Sequence, residues 1–104
     1  MIAVQVTYKV KQDRVAENEE LVRAVYRELG EIGHPGVHYS TFKKEDGQTF
    51  VHIAFFPTRQ DQAVLSDSAA FKAFQAGLGD RCEIPPDPQP LEHIGSYNFS
   101  YPES

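Results

Sequence analysis

The first ten residues, MIAVQVTYKV, alternate between two kinds of position. Ile2, Val4, Val6, Tyr8 and Val10 fall on one side, and Ala3, Gln5, Thr7, Lys9 and Lys11 on the other. A period of two puts successive side chains on opposite faces of an extended chain, so this segment reads as a half-buried strand. From Asp13 the period changes. Val15, Val22, Val25, Leu29 and Ile32 recur at helical spacing, with Glu17, Glu20, Arg23, Arg27 and Glu28 on the remaining surface. Asp13 is the candidate N-cap, Gly30 and Gly33 are stop signals, and Pro35 keeps the helix from resuming.

The stretch GVHYSTFKKEDGQTFVHIAFFP reads as a hairpin turning at Asp46-Gly47. Counting outward from that turn pairs Lys43 with Phe50, Thr41 with His52 and Tyr39 with Ala54. Val37, Tyr39, Thr41, Phe50, His52, Ala54 and Phe56 then share one face. His38, Ser40, Phe42, Val51, Ile53 and Phe55 share the other, and both faces are apolar enough to require cover. Past Pro57 a helical stretch runs from Arg59 to Leu65. A second, capped by Ser66 or Asp67, ends between Gly77 and Gly79, with Ala70, Phe71, Phe74 and Leu78 as its apolar stripe. EIPPDPQP reads as a loop. LEHIGSYNFSY alternates again and reads as the last strand, with His93, Gly95, Tyr97, Phe99 and Tyr101 on one side.

The element order is βαββαβ. Right-handed crossovers make strand 2 parallel to strand 1 and strand 4 parallel to strand 3. The expected fold is α+β, a ferredoxin-like sandwich of one antiparallel sheet with helices on one face. The helices can cover one sheet face only. A second copy of the same sheet is the simplest cover for the other, which predicts a homodimer.

Composition narrows the class. The chain has 104 residues, enough for one modest core, so residues 1–104 are expected to form a single domain. The net charge of -5 opposes binding to nucleic acid. No stretch is long and apolar enough to cross a membrane, and the alternating N-terminus does not read as a signal peptide. The single cysteine, Cys82, rules out an internal disulfide and suits a reducing, cytoplasmic setting.

The stretch FVHIAFFPTRQDQAVLSDSAAFKAFQAGLGD, with the strand order and helix lengths, resembles the antibiotic biosynthesis monooxygenase family. Ala63, Ser68, Phe71 and Phe74 fit the helical segment that follows the aromatic third strand in that family, and Leu65 stands where many members have histidine. The resemblance implies a dimeric α+β barrel with a pocket in each subunit. It also implies a possible oxidation of electron-rich phenols or quinols with no cofactor. Haem-degrading members use a tryptophan, which this chain lacks.

That chemistry needs an apolar pocket with one base and a few orienting donors, because a quinol-like substrate must lose a proton before it passes an electron to oxygen. Histidine suits the base, since small changes of environment move its pKa around neutrality. His52 is the first candidate base, with Thr41 opposite it and Tyr39 diagonal as candidate substrate contacts. The competing reading is a structural histidine bonded to Thr41 or packed at the dimer face. His93 is the second candidate base, and Tyr97 beside it a substrate contact. His38 lies on the other hairpin face, and His34 next to Pro35 reads as solvated. The histidines lack metal-binding spacing, so no metal is expected. Cys82, beside Arg81 in an expected loop, has no partner that would make it a nucleophile. Lys9, Lys11, Lys43 and Lys44 gather at one sheet end and read as a solvated edge. The functions left open are a cofactor-independent monooxygenase, a non-catalytic ligand-binding or scaffold homodimer, and an isomerase of a small metabolite.

Overall fold

Burial follows the alternation most clearly in the hairpin's second strand. The computed structural model describes residues 1–98. In β3 (Thr49–Phe56), Phe50, His52, Ala54 and Phe56 are buried, and Thr49, Val51, Ile53 and Phe55 are half-buried between them. The strand therefore has one face in the core and one outside it. β1 (Ile2–Val10) lies beside it and adds Tyr8 and Val10 to the core. β2 (His38–Lys43) and β4 (Cys82–Pro90) are the edges of a four-stranded sheet ordered β2-β3-β1-β4, in which every neighbouring pair is antiparallel. This is the expected ferredoxin-like α+β architecture.

Helix α1 (Val15–Ile32) packs Val22 and Val25 into the core beside Tyr8 and Phe50. Burying a side chain of that size contributes about 1.5–3 kcal/mol. Gly33 ends the helix in the left-handed region, at φ 66, and its N–H donates to the Leu29 carbonyl at 2.9 Å. Asp13 is not the cap. It sits inside a single 3₁₀ turn, Gln12–Arg14, in which the Arg14 N–H donates to the Lys11 carbonyl at 2.9 Å. That i→i+3 bond satisfies a donor that a capping side chain would otherwise take. α2 (Arg59–Ser66) starts at a Thr58–Asp61 capping box. α3 (Ala69–Ala76) is capped by Ser68 rather than Ser66 or Asp67, and α4 (Leu78–Arg81) leads into β4. Among the described residues no helix is long and apolar enough to cross a membrane.

The hairpin register agrees with the count from the turn. Lys43 pairs with Phe50, Thr41 with His52 and Tyr39 with Ala54. The loop itself is wider than two residues. Lys44 N–H donates to the Thr49 carbonyl at 2.8 Å, and Gly47 takes φ 74, so Glu45 to Gln48 form the loop. The Asp46 carboxylate accepts from the Thr49 hydroxyl and from the Gln48 and Thr49 N–H groups, which holds its pKa down at about 2.

The last strand is displaced from its expected place. β4 is the proline-rich CEIPPDPQP, and LEHIGSYN after it forms no strand. The reason is positional. Leu91 N–H donates to the Ala3 carbonyl at 2.9 Å, and Gln89 and Asp87 share its phase opposite Gln5 and Thr7. Pro88 and Pro90 alternate with them, so their missing donors face away from β1, where an edge strand needs none. Phe99 and Tyr101 lie outside the described residues.

Candidate active site: a cavity walled by His52 and two tyrosines

Three neighbouring strands each place one polar ring toward the helices. Tyr8 comes from β1, Tyr39 from β2, and His52 from β3 between them. Val6 is directly opposite His52, which makes Tyr8 its diagonal neighbour on β1, and Tyr39 is diagonal on β2. Diagonal neighbours are within reach of long aromatic side chains. The His52 ring lies 5.3 Å from the Tyr8 centroid and 5.5 Å from that of Tyr39, with the planes 17° and 20° from parallel.

Both imidazole nitrogens are engaged. His52 Nε2 is 2.7 Å from the Tyr8 hydroxyl, and Nδ1 is 2.8 Å from the Tyr39 hydroxyl and 2.9 Å from Thr41 Oγ1. The network continues outward at each end. Asn18 Nδ2 donates to the Tyr8 oxygen at 3.0 Å, and Arg81 Nε donates to Asn18 Oδ1 at 3.1 Å. Thr41 Oγ1 lies 2.7 Å from the Tyr26 hydroxyl. Arg81 is only 1% exposed, and among the described residues no carboxylate pairs with it. Its Nη2 instead donates to the Phe74 carbonyl at 2.7 Å, and its guanidinium sits 5.6 Å from the Phe74 ring centroid.

Burial governs the ionisation of the site. His52, 4% exposed, has its pKa lowered to about 4 because desolvation disfavours the imidazolium. Burial raises Tyr8 and Tyr39 well above the usual phenol value and Tyr26 to about 12. At neutral pH the cluster is therefore uncharged except for Arg81 at its end.

This cluster forms part of the wall of a cavity of about 490 Å³ between sheet and helices. Val4, Val6, Ala54 and Phe56 line its sheet side, and Leu65, Phe71, Phe74 and Leu78 its helix side. Gln62, Ser66 and Gln75 add polar groups, and Gly79 of α4 with Pro86 and Pro88 of β4 completes the lining. No Asp, Glu, Lys or Arg lines it among the described residues. α3, which carries Phe71 and Phe74, is fixed at its start by two acceptors. Ser68 Oγ accepts from Phe71 N–H at 3.0 Å, and Glu28 of α1 accepts from Ala70 N–H at 2.7 Å.

The candidates separate sharply. His52 and Tyr39 line the cavity together, and Thr41 lies behind His52, off the cavity, in a groove beside α1. His93 and Tyr97 are away from it, because the segment that carries them is not the strand next to β1. His93 is exposed and bonds Ser96 at 2.8 Å, and Tyr97 is 90% exposed. His34 is not simply solvated: its Nε2 is 2.7 Å from Asp61 Oδ1 in the α2 capping box. Cys82 begins β4 opposite Val10, half-buried rather than in an exposed loop, and burial raises its pKa. Two of the gathered lysines are paired, Lys9 with Glu83 and Lys43 with Glu19.

Sequence reasoning missed Tyr8 and Arg81 as site residues, and Asn18 altogether. One signal was present. Asn18 is three residues after Val15 and four before Val22, a polar residue inside the apolar stripe of α1.

The family description "antibiotic biosynthesis monooxygenase" matches residues 1–77. Among solved structures, a Nitrosomonas europaea protein assigned to the antibiotic biosynthesis monooxygenases superposes with a TM-score of 0.77 at 21% identity, over 91% of this chain and 100% of that one. Rv0793 from Mycobacterium tuberculosis gives 0.76 at 17% identity, over 91% and 96%. The cofactor-independent oxygenase SnoaB from Streptomyces nogalater gives 0.65 at 13% identity, over 98% and 97%. No curated protein matches the chain. At such identities these likenesses speak to the fold. The family match, extending from β1 through α3, carries the assignment: the chain belongs to the antibiotic biosynthesis monooxygenase family.

Proposed function

We propose that the protein is a cofactor-independent monooxygenase whose cavity binds a small, uncharged, quinol-like aromatic against His52. One observation carries this reading: a mostly apolar cavity of about 490 Å³ has, on its sheet wall, a neutral histidine held between two tyrosine hydroxyls. Its volume lies in the range of small-molecule sites. The absence of charged side chains from the lining described above favours an uncharged ligand, since a buried unpaired charge is costly. His52 serves as the base through the Tyr8 hydroxyl bonded to its Nε2, and Tyr39 orients the ligand oxygen, while Thr41 supports His52 from behind.

The reaction balances with dioxygen as the only other reactant. The ligand's acidic C–H loses a proton, and the carbanion passes one electron to dioxygen. The resulting radical and superoxide join as a peroxide, which takes up the proton and expels water to leave a carbonyl. One oxygen atom stays on the product, and the other leaves with the ligand's two hydrogens.

The cavity is lined partly by β4, which lies beyond the matched family segment, and this supports treating residues 1–104 as one domain. A homodimer is part of the same proposal, because Val51, Ile53 and Phe42 leave the outer sheet face partly apolar. A second reading, a non-catalytic ligand-binding dimer, draws on the engagement of both His52 nitrogens by the protein itself.

Oxygen uptake with a panel of quinols and anthrones tests the proposal. Expected is consumption that exceeds both the uncatalysed rate and a folded His52→Ala variant, with one labelled atom from ¹⁸O₂ in the product. Binding without consumption by either protein would select the non-catalytic reading.

A further inference from the structure

The buried polar chain behind the cavity has a direction, and its donors fix it. Arginine has no acceptor. Arg81 Nε–H therefore sets the Asn18 amide with Oδ1 toward the guanidinium and Nδ2 toward Tyr8. The Tyr8 oxygen accepts from Asn18, which leaves its own hydrogen for His52 Nε2 at 2.7 Å. A neutral imidazole carries one hydrogen, and with Nε2 accepting, that hydrogen is on Nδ1. Nδ1–H faces the Tyr39 and Thr41 oxygens, and Thr41, once it accepts, has its hydrogen free for Tyr26 at 2.7 Å.

The two ends of this chain open on different spaces. Tyr8 lines the cavity. Thr41 and Tyr26 line a separate groove of about 280 Å³ between α1 and β2, alongside Glu19, Arg23 and Lys43. A ligand seated in the cavity would close the inner end to water and leave the outer end wet.

We propose that Tyr8, His52, Thr41 and Tyr26 form a relay carrying a proton from a ligand in the cavity to the groove between α1 and β2, with Asn18 and Arg81 as the positioning residues that set its direction. Each transfer is matched by the next. The ligand's proton bonds to the Tyr8 oxygen as the Tyr8 hydrogen moves to Nε2. The Nδ1 hydrogen moves to Thr41, that of Thr41 to Tyr26, and that of Tyr26 to water. The ligand anion stays in the cavity, and no imidazolium persists. That matters because burial keeps the His52 pKa near 4, so the residue passes a proton on far better than it holds one. The ligand rests on the function proposed above, whereas the relay is a property of the free protein.

The test uses the full ¹⁵N-labelled chain without substrate. Long-range proton–nitrogen spectra at pH 7 should show His52 as the Nδ1–H tautomer with a bare Nε2; the Nε2–H tautomer would overturn the assigned direction. In Asn18→Leu the tautomers should mix. Exchange of Nδ1–H with water, read by saturation transfer, should slow roughly tenfold in Tyr26→Phe and in Thr41→Val and recover in Thr41→Ser. Unchanged exchange in both variants, with otherwise native amide spectra, would overturn the relay. Because these readouts need no turnover, a relay found in a protein that consumes no oxygen would sink the oxygenase and leave the relay standing.

Discussion

Among the described residues no carboxylate is hydrogen-bonded to His52, and that decides how it titrates. Burial alone lowers its pKa, from 6.5 to about 4. Between those values the unfolded chain binds a proton that the folded chain refuses, so stability must rise with pH across that window. Taken as the whole shift, the effect is on the order of 3 kcal/mol. Urea unfolding at pH 7 and pH 4.5 should show this loss on acidification, and the loss should shrink in His52→Phe relative to the wild type. The tyrosines are expected to differ. Tyr8→Phe strands both His52 Nε2 and Asn18 Nδ2 and should cost about 1–3 kcal/mol, whereas Tyr39→Phe leaves Thr41 at Nδ1 and should cost less. Equal losses in urea would contradict the roles given to the two hydroxyls. His52, Thr41 and Tyr39 were legible in the sequence because a strand register fixes neighbours by counting. Arg81 and Tyr8 were not, because hydrophobic periodicity places a residue on a face and says nothing of what its polar atom reaches through another element.

At the scale of elements, α3 is the cavity wall with the most exacting start. Its first donors go to Ser68 and to Glu28. Ser68→Ala should cost about 1 kcal/mol of stability in denaturant and weaken ligand binding by freeing the turn that carries Phe71. An unchanged midpoint would mean that Glu28 alone suffices. The hairpin was readable down to its pairs because the aromatic and β-branched runs meet at one turn signal. β4 was not, because several prolines in nine residues read as a loop to any argument that counts backbone donors. That argument assumes a strand paired on both sides. At an edge, half the donors have no strand to reach, and prolines there also deny an incoming chain its partners.

For the whole molecule, the sheet is finished on its helix side and open on the other. Phe42 is 48% exposed, and Val51 and Ile53 stay half-buried. If a second copy covers this face, as proposed, sedimentation should report a dimer at micromolar concentration, and Ile53→Lys should shift it to monomer while leaving the cavity lining intact. A wild-type monomer under those conditions would remove the dimer and the inference that the outer face is covered by a second copy.

The central claim is that an uncharged aromatic seats against His52 inside the cavity. The most direct measurement is an anaerobic titration of the ¹⁵N-labelled protein with a neutral quinol, followed at the His52 imidazole nitrogens. The account predicts saturable shifts at His52, with matching changes at the amides of Tyr8 and Phe74. Saturation with those signals unmoved, or shifts confined to the outer sheet face, would contradict it.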